Sequence, residues 1–369
     1  MLKLALESEL KRIKIWLSII CLMIAAIVII GGITRLTVSG LSITEWRPIT
    51  GVIPPLNIEQ WQLEFQKYQT TPQFQHLNQN MTLDEFKFIF FWEYLHRLIA
   101  RSLGLVFLLP LLYFSKRKQI SKTLKQRLWI GFALGGLQGL VGWLMVKSGL
   151  TERTFVSHYR LGIHLVLAFF IFSYLLWLIL AMQDLNSAAP AQKYTGNKSS
   201  FLARKSSALL VVLLFVQIFW GALVAGLHSG HFYNDYPLMN GQFFPATQLG
   251  LEPYIINFLD STAGTQFFHR WLAPILILIF LFLAYYLFPK AWKQQTRLKD
   301  TLVVSNWNRW IISRRAVLWG FSFQFLLGVL TLLNAVPLVL GVLHQIGAFL
   351  LLGLLIWFHF ESIQLKNNS

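Results

Sequence analysis

Long apolar runs separated by short polar segments dominate this chain. Eight of them stand out, at 15–33, 88–114, 128–146, 159–182, 208–227, 267–288, 316–333 and 338–360. Each is long enough to cross about 30 Å of hydrocarbon at ~1.5 Å of helix rise per residue. Lipid offers no water to backbone N–H and C=O groups, so a crossing segment must satisfy them internally, and the pattern predicts helices. The expected fold is all-α, a polytopic membrane protein with eight transmembrane helices. An even number of crossings places both ends of the chain on one side.

Composition agrees: 55% of the 369 residues are hydrophobic and 13% charged, with a mean hydropathy of +0.55. The net charge of +17 raises the idea of a nucleic-acid binder. The basic residues, however, form short clusters between apolar runs, which is what membrane topology demands; the expected surroundings are lipid, with no nucleic acid. Of the 32 lysines and arginines, 22 lie in the first 14 residues, in segments 115–127, 183–207 and 289–315, and in the tail. That asymmetry predicts both termini in the cytoplasm. Two long segments, 34–87 and 228–266, then face outside, and their Trp, Tyr, Phe, Pro and Gly content suits structured loops against the membrane face. The N-terminus mixes acidic with basic residues, unlike an organelle transit peptide, and the run after it is too long for a signal segment. It reads as a retained first helix in a bacterial inner membrane. Cys21, the single cysteine, excludes an internal disulfide and any cysteine-based metal site.

The two halves look like copies. Glu93-Tyr94-Leu95-His96-Arg97 in the second span answers Gln266-Phe267-Phe268-His269-Arg270 in the sixth. Leu161-Gly162-Ile163-His164 in the fourth answers Gly341-Val342-Leu343-His344 in the eighth. Gln138-x-x-x-Gly142 in the third answers Gln324-x-x-x-Gly328 in the seventh, and Gln217-x-x-x-Gly221 in the fifth resembles both. The expectation is two parallel-repeat four-helix bundles, residues 1–190 and 191–369, related by an axis along the membrane normal.

Imidazoles inside a bilayer are costly and point to function. His96, His164, His269 and His344 occupy one even-numbered span each, a few residues past its outer end, within about 3–12 Å of the interface by helix rise. Histidines at matched depth on facing helices can ligate one iron from opposite faces of a haem. The repeat offers two such couples, His96 with His164 and His269 with His344. Against this stands the plainer reading, in which the imidazoles bond neighbouring helices or line a proton path. Arg97, Arg101, Arg160 and Arg270 lie near the same level, where guanidinium forks suit haem carboxylates or else reach for lipid headgroups. Glu93, one turn before His96, has no acidic counterpart in the second half. It can orient an imidazole, carry protons or stabilise developing positive charge, or simply favour its helix start through the macrodipole. His158 sits at the mouth of the fourth span as a rival ligand or a loop-edge residue. His228 and His231 form a weak His-x-x-His beside Asp235. His76 reads as a surface residue and His359 as an inner-interface residue.

With these residues in view, the chain resembles the haem A synthase family along nearly its whole length. The resemblance is carried by GGITRLTVSGLSITEWRPITGVIPP (31–55), FWEYLHRLIARSLG (91–104), YRLGIHL (159–165), AGLHSGHFYNDYPLMNGQFFP (225–245), FFHRWLA (267–273) and LGVLHQIGAFLLL (340–352). It implies conversion of haem O to haem A: the C8 methyl is hydroxylated twice and the gem-diol dehydrates to a formyl group. It implies a haem b cofactor in the 191–369 half on His269 and His344, with Arg270 beside it. It implies a substrate haem site in the 1–190 half at His96 and His164, with Glu93 as its carboxylate. The sites would face the periplasmic side, and haem O synthase (the protohaem farnesyltransferase) would supply the substrate. Some members carry a cysteine pair in the first outside loop; this chain has none, which excludes a thiol relay there. The family's residues at 228 and 231 differ, so no role carries over to those histidines.

A haem held by two histidines has no open coordination position, so haem b is expected to move electrons. Two other classes stay in view. A bis-histidine cytochrome passing electrons from quinol would hold two unaltered haems b, and a transporter built on parallel repeats would bind none. The sequence leaves open the electron acceptor, the oxygen source, the oligomeric state and which arginines meet propionates.

Overall fold

The computed structural model describes residues 2–47, 50–151, 153–184, 198–246, 249–283 and 301–364. Eight helices among them are long and apolar enough to cross a membrane. In chain order the α-helices are α1 (Leu2–Leu36), α2 (Ile58–Gln69), α3 (Pro72–Leu77), α4 (Leu83–Ser115), α5 (Lys122–Thr151), α6 (His158–Asp184), α7 (Lys198–Gly226), α8 (Asn257–Asp260), α9 (Thr262–Phe282), α10 (Thr301–Leu333) and α11 (Leu338–Gln364). The only β pairing among the described residues is an isolated bridge between Met239 and Gln242. The all-α expectation holds. The spans are α1, α4, α5, α6, α7, α9, α10 and α11.

Most helices outrun the apolar runs that announce them. α4 starts at Leu83, before the run at 88, because Thr82 and Glu85 form a capping box: the Thr82 N–H reaches the Glu85 carboxylate at 2.8 Å and the Glu85 N–H reaches the Thr82 hydroxyl at 3.4 Å. Such a box satisfies donors that the first turn leaves orphaned, whatever the polarity of the sequence. The end of the sixth run, 284–288, lies outside the described residues, as do the boundary between 190 and 191, the basic residues of 289–300 and Lys366.

Packing groups the chain into two compact units. The first comprises residues 1–172 and 337–346. Within it α1 lies along α4, and α5 packs on α4. The contact is read off α1 at helical spacing, with Leu10, Ile13, Leu17, Ile20, Ile24 and Val28 all buried. Trp16 locks it by donating Nε1–H to the Val106 carbonyl at 2.9 Å and meeting Phe107 edge-on at 5.1 Å. At the end of α4 where it begins, α2 and α3 fold over a hydrophobic cluster of Tyr68, Phe86, Ile89 and Phe90. Tyr68 is fully buried there and its hydroxyl bonds Gln73 at 2.9 Å and Asn78 at 2.7 Å.

The second unit comprises residues 173–336 and 347–369. α7 lies along α9, repeating the pairing of first with second span seen for α1 and α4, and α8 and α10 also pack on α9. Trp310, 1% exposed, donates to the Ser362 hydroxyl at 3.0 Å. Nearby, Glu361 accepts from Arg309 at 2.6 Å and from Trp357 at 2.9 Å. His359 bonds Ser207 at 2.8 Å and lies beside the Trp177 ring.

Candidate functional site

The four intramembrane histidines are half-buried. His96 on α4 and His164 on α6 both lie in the first unit and are close enough to interact electrostatically. His344 on α11 falls in the first unit and His269 on α9 in the second.

Each of three histidines stands against a glycine of the preceding span. A Cβ on Gly31 would lie 3.2 Å from Nε2 of His96, one on Gly142 would lie 2.9 Å from Cε1 of His164, and one on Gly221 would lie 2.8 Å from Cε1 of His269. Only glycine lets the ring sit that close to the neighbouring helix. One turn earlier on α5 and α7 a glutamine completes the cradle. Gln138 donates its side-chain N–H to the His164 carbonyl at 3.0 Å, and Gln217 does the same to the His269 carbonyl at 2.9 Å. The sequence marks Gln138-x-x-x-Gly142 and Gln217-x-x-x-Gly221 as repeat elements without saying what they face. The structure shows that they face histidines.

His269 is further fixed by its own ring. Nδ1 lies 3.1 Å from the backbone carbonyl of Gln217. A carbonyl can only accept, so this bond puts the proton on Nδ1 and the lone pair on Nε2. That is the usual arrangement of a metal-ligating histidine. His269 therefore fits axial ligation of a haem iron. Among the described residues no group of three or more His, Cys, Asp or Glu side chains is placed to hold a metal ion.

Glu93 is buried, 3% exposed. One carboxylate oxygen accepts from the Ser42 hydroxyl at 2.7 Å and the Ile43 N–H at 2.9 Å; the other accepts from Arg97 at 2.6 Å. Arg97 also donates to the carbonyls of Ile43 and Glu45. The pair thus ties the loop after α1 to the level of His96. The second half repeats the device with a neutral residue: Gln266 donates to the Phe232 carbonyl at 2.8 Å, and Arg270 donates to the carbonyls of Tyr233, at 2.8 Å, and of Leu238. The Nε donor of the Arg270 guanidinium is buried without a partner. It is a charged donor left over, which fits a haem carboxylate. Arg101 and Arg160 also hold backbone, at the carbonyls of Arg47 and Leu144 respectively. Sequence alone does not show these contacts, by which Arg97, Arg101 and Arg270 hold loop carbonyls and Arg160 holds a carbonyl of α5.

The peripheral histidines find local settings. His228, two residues past α7, takes the left-handed conformation, φ 55°, and its ring stacks 6.5 Å from that of His231. Asp235 is engaged elsewhere, accepting the N–H groups of Asn240 at 2.9 Å and Gly241 at 3.1 Å. Burial opposes its charge, but those two amides and nearby Arg270 hold its carboxyl below the usual range. His158 opens α6, its ring tilted against that of Tyr159 at 4.2 Å, and His76 is exposed on α3.

Fold and site together define an α-helical, multi-span membrane protein with imidazoles cradled between its crossings. The chain belongs to the COX15-CtaA family of cytochrome oxidase assembly proteins, whose family model matches residues 14–356. It is 45% identical over 349 residues to the heme A synthase of Rhodospirillum centenum, covering 94% of this chain and 87% of that protein. To the heme A synthase of Nitrosomonas eutropha it is 42% identical over 346 residues, 94% of this chain and 92% of that one. A third relative, the heme A synthase of Rhizobium leguminosarum, is 43% identical over 346 residues, 93% and 88% of the two chains.

Proposed function

We propose that this chain is an oxidoreductase that converts haem O to haem A. The observation that carries the reading is the cradle at His269. Its Nδ1–H is committed to the Gln217 carbonyl at 3.1 Å, which leaves the other ring nitrogen as an iron ligand, and the His96–His164 neighbourhood repeats the helical setting. Relatives that are 42–45% identical over 94% of the chain and are heme A synthases support the same activity.

In this reading His96 and His164 receive the substrate haem, whose C8 methyl is oxidised twice to a formyl. His269 and His344 hold a haem b, with Arg270 toward its carboxylates; when bound, haem b supplies one-electron transfer. Glu93 gives the substrate half a fixed negative charge one helical turn from His96, preorganised by Ser42, Ile43 and Arg97 and able to stabilise positive charge that develops on the substrate. The haem O comes from a haem O synthase. Both termini are cytoplasmic and the haem sites face the periplasmic side of a bacterial inner membrane.

Pigments extracted from the purified protein and identified by mass test this. The parent should carry haem b together with haem O, its hydroxymethyl form or haem A. His96→Ala should lose the farnesylated haem and keep haem b, and His269→Ala should lose haem b. Two unaltered haems b per chain would instead make the protein an electron-passing cytochrome, and a preparation without Soret absorbance would reject both. Glu93→Ala should retain haem b and form no haem A; full product from that variant would remove Glu93 from the reaction.

A further inference from the structure

Gln345 follows His344 on α11 and lies, like it, in the first unit. Its side-chain amide donates to the backbone carbonyl of Val28 on α1 at 2.8 Å. In an α-helix that carbonyl also serves the N–H four residues on, so the Gln345 bond takes the oxygen's second lone pair. An amide left bare in a membrane-spanning segment is costly, which makes such a bond worth keeping. Room for it comes from Gly32, which is buried. A Cβ there would lie 2.8 Å from Oε1, 3.2 Å from Cδ and 3.4 Å from Nε2 of Gln345. The residue before it, Gly31, backs His96, whose Nε2 would lie 3.2 Å from a Cβ. Consecutive glycines of α1 thus receive the ring proposed for one haem and the neighbour of a ring proposed for the other.

The repeat shows that this contact is not common to its two copies. Gly31 faces His96 as Gly221 faces His269, which aligns Gly32 with Ala222. His344 answers His164, which aligns Gln345 with Leu165. Where one copy has the donor and the gap that admits it, the other has neither letter: leucine offers no hydrogen bond, and alanine carries the methyl group that would fill the gap. We propose that Gln345 is a positioning residue of the haem b site. By fastening α11 to α1 it sets the His344 imidazole in place before iron arrives, and it registers that ligand on the helix that also backs His96. This rests on the assignment of His344 to haem b. A ring already held in its ligating position gives up less freedom when the iron–nitrogen bond forms, so the bond is stronger by about what the holding contributes. Haem b thereby becomes answerable to α1, a helix that supplies none of the four histidines.

The test uses the full-length protein purified with its haems in detergent. Three signals of haem b are read: the g-values of its ferric low-spin resonance, its midpoint potential, and its rate of loss to excess apomyoglobin, with the pigments identified by mass. Gln345→Leu keeps the bulk and removes the donor. Haem b should then leave about fivefold faster, the equilibrium worth of one hydrogen bond, with shifted g-values and potential. Gly32→Ala attacks the same contact from α1. The added methyl meets the end of a flexible side chain, so the backbone stays, the amide swings off Val28, and the same three signals should move in the same sense. The double variant should go no further than Gln345→Leu alone, because the amide that the methyl displaces is already gone. If Gln345→Leu fails to accumulate, Gly32→Ala carries the test, since alanine in place of a helical glycine favours folding. Haem b signals equal to the parent's in the single variants, even with a lowered thermal midpoint, would make Gln345 a clamp between helices and overturn the proposal. Additive effects in the double variant would overturn it as well. A parent that holds no haem b would instead overturn the functional assignment beneath it.

Discussion

Gly221→Ala places a methyl group where the His269 ring stands. The added Cβ would lie 2.8 Å from Cε1, whereas ordinary contact begins at 3.4 Å, so the ring edge must give by about 0.6 Å. A swing of roughly 10° about the side-chain torsions supplies that, well short of the ~30° departure that costs about 0.5–1.5 kcal/mol. The helix itself gains about 0.5–1 kcal/mol when alanine replaces an interior glycine. Folding should therefore survive, and the disturbance should concentrate on the orientation of the His269 imidazole, which the proposed function makes an axial ligand. The assay is the ferric low-spin electron paramagnetic resonance spectrum of the haem b proposed there, with its midpoint potential, both of which follow axial-ligand geometry. Gly221→Ala should shift the g-values and the potential at unchanged haem content. Gly139→Ala is the control, because a Cβ there meets nothing within 4 Å. Spectra and potentials identical across the parent, the control and Gly221→Ala would refute the view that the glycine positions the ring.

Other outcomes follow from the same contacts. Arg270→Met removes donors to the Tyr233 and Leu238 carbonyls and the spare Nε; haem b content of the purified variant should fall, and proteolysis within 232–241 should quicken. Asp235 titrates below its ordinary value because the Asn240 and Gly241 amides outweigh burial, so its contribution is complete above the unfolded carboxyl value and is lost as pH falls through the folded one. Hydrogen exchange at Asn240 and Gly241 should accordingly accelerate under acid, and Asp235→Asn should blunt that pH dependence. Glu361→Ala strands Arg309, but that guanidinium is 38% exposed, so the expected cost is about 1–2 kcal/mol rather than the full penalty for a buried pair. It is read as a thermal midpoint lowered by several degrees in detergent.

The spans were legible because lipid imposes one solution on a long apolar run, and the repeat was legible because it conserves spacing around histidine. The helix ends were not, since a polar capping box such as Thr82 and Glu85 extends α4 past anything hydropathy can show. Glu93 is the instructive case. Its spacing of three residues from His96 suggests a carboxylate beside the imidazole. Helical side chains lean toward the N-terminus of their helix, and the Glu93 carboxylate is taken up by Ser42 and Ile43 of the loop after α1 and by Arg97. The glutamine–glycine cradles were visible as letters. Their purpose depends on which residue of the next span shares their level, and no single-helix pattern carries that.

One device appears twice with different charge. In the first half Arg97 is neutralised by Glu93 at 2.6 Å, and the pair is largely buried, with side-chain exposures of 13% and 4%. In the second half the residue at the glutamate's place is Gln266, which contributes a neutral amide to the loop carbonyl of Phe232. Arg270 there feels Asp235, but that carboxylate is spent on the Asn240 and Gly241 amides. On the proposed assignment, a dianionic porphyrin edge would meet a compensated ion pair in the first half and a cation with a spare donor in the second, and in a medium of low dielectric constant the second half would hold that edge more tightly.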